Sequence, residues 1–147
     1  MLQNLLDQLE GESIIIWDDA SDFKIHHPNF FQFKKNYGKK LAWQKWNKIF
    51  TTIKAAPTKY DYYIFLPDDV ELCDNFVEKA INLWEGIKDP KKMCLSFSHP
   101  DRAKQPCFTA VEPEDFGSVI KTQWTDMMFI CGKDFINRVV VDPVDPK

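Results

Sequence analysis

Apolar residues come in short blocks along this chain, and the blocks alternate between two spacings. Leu2, Leu5, Leu6 and Leu9 follow a helical spacing, so an amphipathic helix is expected that ends near Gly11. Ile14-Ile15-Ile16-Trp17 comes next. A short, wholly apolar, β-branched run predicts a strand buried on both faces, the habit of parallel sheets. Residues 23–38 show no period and read as irregular, with a turn at Asn36-Tyr37-Gly38. From Lys39 to Ala55, Leu41, Trp43, Trp46, Ile49, Phe50 and Ile53 fall mostly on one stripe. That stripe predicts a helix with Trp43 and Trp46 in the core, lysines largely opposite, and Pro57 as its stop.

Tyr62-Tyr63-Ile64-Phe65-Leu66 predicts a second buried strand, ended by Pro67-Asp68-Asp69. Asp74 is expected to cap a third helix that runs to about Glu85 and closes on Gly86. Met93–Phe97 and Met127–Cys131 predict two further strands, and Lys133–Arg138 the start of a helix. Residues 98–118 read as a loop with short elements, and 142–147 as a tail. Helix and strand alternate, which predicts an α/β fold with a mainly parallel sheet flanked by helices.

Composition narrows the function classes. The 147 residues suit one domain, and 44% hydrophobic with 28% charged residues is ordinary for a folded protein. A net charge of -3 gives no general pull toward nucleic acid or anionic lipid. Lys34, Lys35, Lys39, Lys40, Lys45 and Lys48 nevertheless crowd one segment, readable as a solvated face or as a cationic wall near a phosphate-bearing ligand. Cys73, Cys94, Cys107 and Cys131 lack metal-finger spacing, so free thiols in a reducing, cytoplasmic setting are expected. No apolar run approaches the ~20 residues of a membrane span. The Gly-x-x-x-x-Gly-Lys loop of P-loop enzymes is missing.

The chemistry concentrates in two acidic pairs. Each of the first two predicted strands ends in one: Trp17-Asp18-Asp19 and Leu66-Pro67-Asp68-Asp69. In a parallel sheet both pairs emerge at the edge where open α/β sheets bind ligands. Like charges gathered there repel, and a hard divalent cation shared with substrate phosphates would offset them. The competing reading is that each pair caps a helix or shapes a turn.

Taken in order, these motifs resemble the nucleotide-binding half of a family 2-like glycosyltransferase of the GT-A fold. The matching pieces are Leu5-Leu6-Asp7-Gln8-Leu9 leading to Ile14–Ser21, the turn Asn36-Tyr37-Gly38, Tyr62–Leu72, and Cys73-Asp74-Asn75-Phe76. The match is good over residues 2–85 and looser beyond. The resemblance implies a Rossmann-like fold, with 1–90 as the nucleotide-sugar part and 91–141 as the acceptor side. It implies that Asp19, in its pair with Asp18, contacts the base or ribose. It further implies that Asp69 ligates Mn²⁺ or Mg²⁺, bridging to the diphosphate, and that Asp68 lies near the ribose or donor sugar. Lys39, with Lys40, could reach the diphosphate. Asp126, after Trp124 and before an apolar strand, is the first choice for the general base of an inverting reaction; Glu114 and Asp115 are second choices. Three features depart from the family pattern: Pro67 replaces an acid, Ala20 replaces a Gly, and the strand that normally precedes the leucine helix is absent. A fragment, a short form or a chain completed by a partner is therefore expected.

The expected activity is metal-dependent transfer of a sugar from a nucleotide-sugar donor to a hydroxyl on a glycan, lipid, protein or modified nucleobase. The alternatives are a non-catalytic binding or assembly module on a degenerate transferase fold, and a metal-dependent nucleotidyl- or phosphoryl-transferring enzyme. A homo-oligomer is left open. His26-His27 read as a surface pair and His99 as a loop residue, and neither Ser96 nor any cysteine has a clear His partner for nucleophilic catalysis.

Overall fold

The computed structural model describes residues 2–23, 25–56, 60–97 and 128–139. Four helices and five short strands form: α1 (Leu2–Gln8), β1 (Ile16–Asp18), β2 (Phe30–Gln32), α2 (Ala42–Ala55), β3 (Tyr62–Phe65), α3 (Phe76–Gly86), β4 (Cys94–Ser96), β5 (Phe129–Gly132) and α4 (Lys133–Arg138). They divide between two compact units, Met1–Leu5 with Tyr60–Phe135, and Leu6–Lys59 with Ile136–Lys147.

The α/β class holds, but the mainly parallel sheet does not form among the described residues. β1 pairs with β2 in parallel, while β3, β5 and β4 make a separate sheet in which β5 lies antiparallel between the other two. Alternating helix and strand predicts parallel neighbours only where helices make the crossovers. Here β5 follows β4 only after residues 97–128, and it enters the sheet in the opposite direction. β3 and β4 are still parallel to each other and joined through α3, a βαβ unit split by the inserted strand.

The register fixes what faces what in this sheet. Ile64 and Leu95 flank Ile130 on β5, and this face packs on Ala80 and Trp84 of α3. Ile130 is wholly buried. Residues one step away in register, Phe65 on β3 and Phe129 on β5, belong to the opposite face and stack at 4.7 Å between ring centroids.

Helix ends depart from the expected caps. Asn75, not Asp74, precedes α3, in a left-handed conformation (φ 55°) and without a side-chain cap. Gly86 belongs to the helix, and the chain leaves through extended Ile87. The Lys92 ammonium donates to the carbonyls of Trp84 (2.6 Å) and Ile87 (3.0 Å) and lies 4.3 Å from the Trp84 ring centre. A cation there satisfies carbonyls at the helix C-terminus and complements its dipole. α1 does end as expected, ahead of Gly11 at φ 91°.

In the other unit, α2 starts three residues later than predicted and ends at Ala55, before an extended Ala56. A residue ahead of proline is driven out of the helical region. Trp43 is not core: it is 59% exposed, while Trp46 stacks on Phe50. The predicted first strand is shifted toward its C-terminus and is half-buried, with Ile15 exposed. Its partner β2 lies where no strand was expected. Among the described residues no helix is long and apolar enough to cross a membrane.

Ile130→Ala is expected to cost about 2–5 kcal/mol, because it opens a cavity where the chain is sealed. Leu83→Ala, on the exposed side of α3, should cost under about 1 kcal/mol. Urea unfolding of both variants checks this; equal losses would contradict the placement of the core.

Candidate functional site

The acidic pair at the end of β1 is built into a loop network. Asp18 Oδ2 accepts from the Ser21 N–H (2.8 Å) and from Gln32 Nε2 (2.9 Å), and Asp18 Oδ1 accepts from the Ser21 hydroxyl. Gln32 Nε2 also donates to the Ser21 carbonyl (2.9 Å), tying the turn to β2. This is an Asp side chain closing its own turn. Partial burial pushes the Asp18 pKa up, but hydrogen bonds from the Ser21 hydroxyl, Gln32, and the backbone of Ser21 and Ala20 outweigh it. The net result is a carboxyl held below its ordinary value. The turn passes through Ala20 at φ 59°, a left-handed conformation that favours glycine.

Asp19 reaches further along the chain. Its Oδ1 accepts from the Tyr37 N–H (2.8 Å), and its Oδ2 from the Gly38 N–H (3.2 Å) and the Lys45 ammonium (3.4 Å). The two motifs that are separate in sequence, the acidic pair and the Asn36-Tyr37-Gly38 turn, are therefore joined through one carboxylate. Tyr37 is buried, edge-on to Phe33, with the ammoniums of Lys48 (5.1 Å) and Lys35 (5.4 Å) near its ring centre. The lysine that meets the acid is Lys45, from the first turn of α2; Lys39 is exposed in the preceding turn. Part of the lysine cluster thus turns inward to an acid and a ring.

A cavity of about 360 Å³ opens beside this network, lined by Ser21, Asp22, Phe23, Ile25, His26, Phe30 and Gln32. Gln32 and the other β2 residues were not singled out from sequence, and Ser21 only as the end of the matched Ile14–Ser21 stretch. The dense aromatics of Phe30-Phe31-Gln32-Phe33 were the available signal, because Phe31 and Phe33 both stack on Trp17.

The second acidic pair has a different character. Asp68 and Asp69 form an exposed turn separated from the end of β3 by two residues and ahead of buried Leu72. Among the described residues neither carboxylate has a hydrogen-bond or ion-pair partner. Register pairs Phe65 with Phe129 and Ser96 with Phe129, so the C-terminal ends of β3 and β4 and the start of β5 share one sheet edge. Asp68-Asp69 leave the sheet at that edge. Asp126, Glu114, Asp115, Trp124 and His99 lie outside the described residues; Met128, two positions after Asp126, is the first described residue leading into β5. Asp18 ends β1 and Asp19 follows it, while Asp68-Asp69 follow β3, a strand of a separate sheet, so among the described residues the shared parallel-sheet edge expected for them is not formed.

No group of three or more His, Cys, Asp or Glu among the described residues is arranged to hold a metal ion. Asp68 and Asp69 are two adjacent exposed carboxylates, and one or two carboxylates are what Mg²⁺ takes from a protein when waters and substrate phosphates complete its shell. No protein family, curated protein or solved structure matches this chain.

Asp19→Ala leaves two backbone N–H groups and an ammonium without their acceptor. It should cost about 1–3 kcal/mol in urea unfolding, with a changed near-ultraviolet signal from Tyr37. A lowered carboxyl pKa stabilises the fold above the unfolded-state value of about 3.9, and that stabilisation is lost as pH falls through the folded value. The stability gap between wild type and Asp18→Asn should be full at pH 6 and shrink steadily below about pH 4. A gap unchanged between pH 6 and pH 2 would show that the ionised form of Asp18 carries no stabilisation.

Proposed function

We propose that the chain is a metal-dependent glycosyltransferase of GT-A type, transferring a sugar from a nucleoside-diphosphate donor to an acceptor hydroxyl with inversion. The observation that carries this is the contrast between the two acidic pairs. Asp18 and Asp19 are engaged in holding loops, whereas Asp68 and Asp69 stand exposed at a sheet edge without a described partner. Unspent carboxylates beyond a strand C-terminus, at an edge shared with a second parallel strand, are suited to bind a ligand.

Two further features favour this reading over an unrelated acidic turn. Ala20 occupies the position where the resembled family has glycine, and its backbone is left-handed. The Asp19 carboxylate links the acidic-pair motif to the Asn-x-Gly motif, giving a physical reason for both to recur together.

In this scheme Asp69, with Asp68 beside it, would hold Mn²⁺ or Mg²⁺, and the ion would supply charge stabilisation for the departing nucleoside diphosphate. Asp68 orients the ribose or donor sugar. Asp126 takes the proton from the acceptor hydroxyl. Asp19 acts by positioning: with both oxygens accepting N–H groups, it fixes the Tyr37–Gly38 turn and brings Lys45 to the same place. Lys45 replaces Lys39 as the cation to follow. The acceptor class, a glycan, lipid, protein or modified nucleobase, is left open.

A binding or assembly module on the same fold is the second reading, favoured by the lack of a three-ligand metal group among the described residues. Calorimetric titration with UDP, GDP and TDP, with and without Mn²⁺, separates the two. Binding that needs Mn²⁺ and weakens at least tenfold in Asp69→Ala is expected, a loss of about 1.4 kcal/mol or more. Binding indifferent to metal, or none, would sink the transferase proposal. Release of free sugar from a nucleotide sugar, without turnover of nucleoside triphosphates, distinguishes glycosyl from nucleotidyl transfer.

A further inference from the structure

Two thiols meet across the β4–β5 pair. Cys94 is the register partner of Cys131. In an antiparallel ladder, hydrogen-bonded and non-hydrogen-bonded pairs alternate, and only the latter bring their α-carbons to about 4.5 Å. The Phe97 N–H donates to the Met128 carbonyl at 3.0 Å, which marks Phe97–Met128 as a hydrogen-bonded pair. Counting back along the register, Ser96–Phe129 is non-hydrogen-bonded, Leu95–Ile130 hydrogen-bonded, and Cys94–Cys131 non-hydrogen-bonded. The other flank of β5 agrees. The Lys133 N–H donates to the Asp61 carbonyl (3.0 Å), so the alternation turns the Cys131 backbone toward Tyr63 on β3 and away from β4.

Disulfides span α-carbon separations of about 4.4–6.8 Å, with β-carbons about 3.5–4.5 Å apart. A close pair in an antiparallel sheet starts at the edge of that range, so little backbone movement is needed. The two residues differ in burial. Cys131 is wholly buried and Cys94 half-buried.

We propose that Cys94 and Cys131 are a reversible oxidation site that closes to a disulfide across β4 and β5 when the protein meets a hydroperoxide. The step balances with the peroxide as oxidant. Cys94, the less buried of the two, attacks a peroxide oxygen; the O–O bond breaks and Cys94 becomes a sulfenic acid, with loss of one water when hydrogen peroxide is used. Cys131 then attacks the Cys94 sulfur; the S–O bond breaks and a second water leaves. Both cysteine sulfurs are oxidised and both peroxide oxygens reduced. A thiol reductant restores the pair by exchange. The crosslink lies two register steps from the Ser96–Phe129 edge and closes the loop 95–130. It is independent of the transferase proposal.

The full-length chain is treated with hydrogen peroxide, quenched with an alkylating reagent and measured by intact mass and non-reduced peptide mapping. Once reagent adducts on the remaining thiols are subtracted, a loss of two mass units is expected, with the linked peptides carrying Cys94 and Cys131 and reversal by dithiothreitol. Cys73→Ser should keep the linkage, and Cys94→Ser should abolish it. Because Cys131→Ser alters a sealed site, Cys94→Ser is the deciding variant. The oxidised wild type should also melt at a higher temperature than the reduced form. Linkage through Cys73 or Cys107 instead, or Cys94 recovered only as sulfinic acid, would overturn the proposal.

Discussion

One constraint organises the Tyr60–Phe135 region: its last strand in sequence is its central strand in space. β3 and β4 each pair with β5 and with no other described strand. β5 therefore supplies the hydrogen-bond ladder for both neighbours, the sealed Ile130 of the core, and the Phe129 that stacks on Phe65. The alignment of the β3 and β4 ends at one edge follows from the same insertion, and so does the meeting of Cys94 with Cys131. Burying apolar side chains on both faces while closing two ladders at once makes this strand costly to lose.

The Leu6–Lys59 region depends on a polar constraint instead. Its parallel pair is only three residues long on each strand, with β1 half-buried and two of the three β2 residues exposed. The carboxylates of Asp18 and Asp19 make up for that by holding a turn, a second turn and the first helical turn of α2 in fixed relation. Charge-assisted hydrogen bonds to backbone N–H groups are stronger than neutral ones, and here they act on segments that have little core of their own. The consequence for function is a division of labour. Acids that look equivalent in sequence have become a scaffold pair and an exposed pair.

Sequence periodicity located most elements because their apolar spacing is a local property. α1, α2, β3, α3, β4, β5 and α4 all fall within a few residues of the predicted positions. β2 was missed because three residues with two exposed members carry no alternation to read. Trp43 was misplaced because a helical stripe shows which residues share a face, not how much of that face is covered. Capping at α3 was misjudged because Asn75, a residue type that tolerates the left-handed region, takes the position ahead of the helix, and because Lys92, six residues beyond the helix, satisfies its last carbonyls.

By itself, the sequence determined the α/β class, the order of the described helices and strands apart from β2, and the two acidic pairs as the places where chemistry could occur. These follow from spacing and residue type, which are fixed along the chain. Only the tertiary structure decided strand direction, since a long connection leaves a strand free to enter its sheet either way. It also decided which acids are spent: a carboxylate's role depends on the donors that folding brings to it, and the Tyr37, Gly38 and Lys45 donors lie 18 to 26 residues from Asp19.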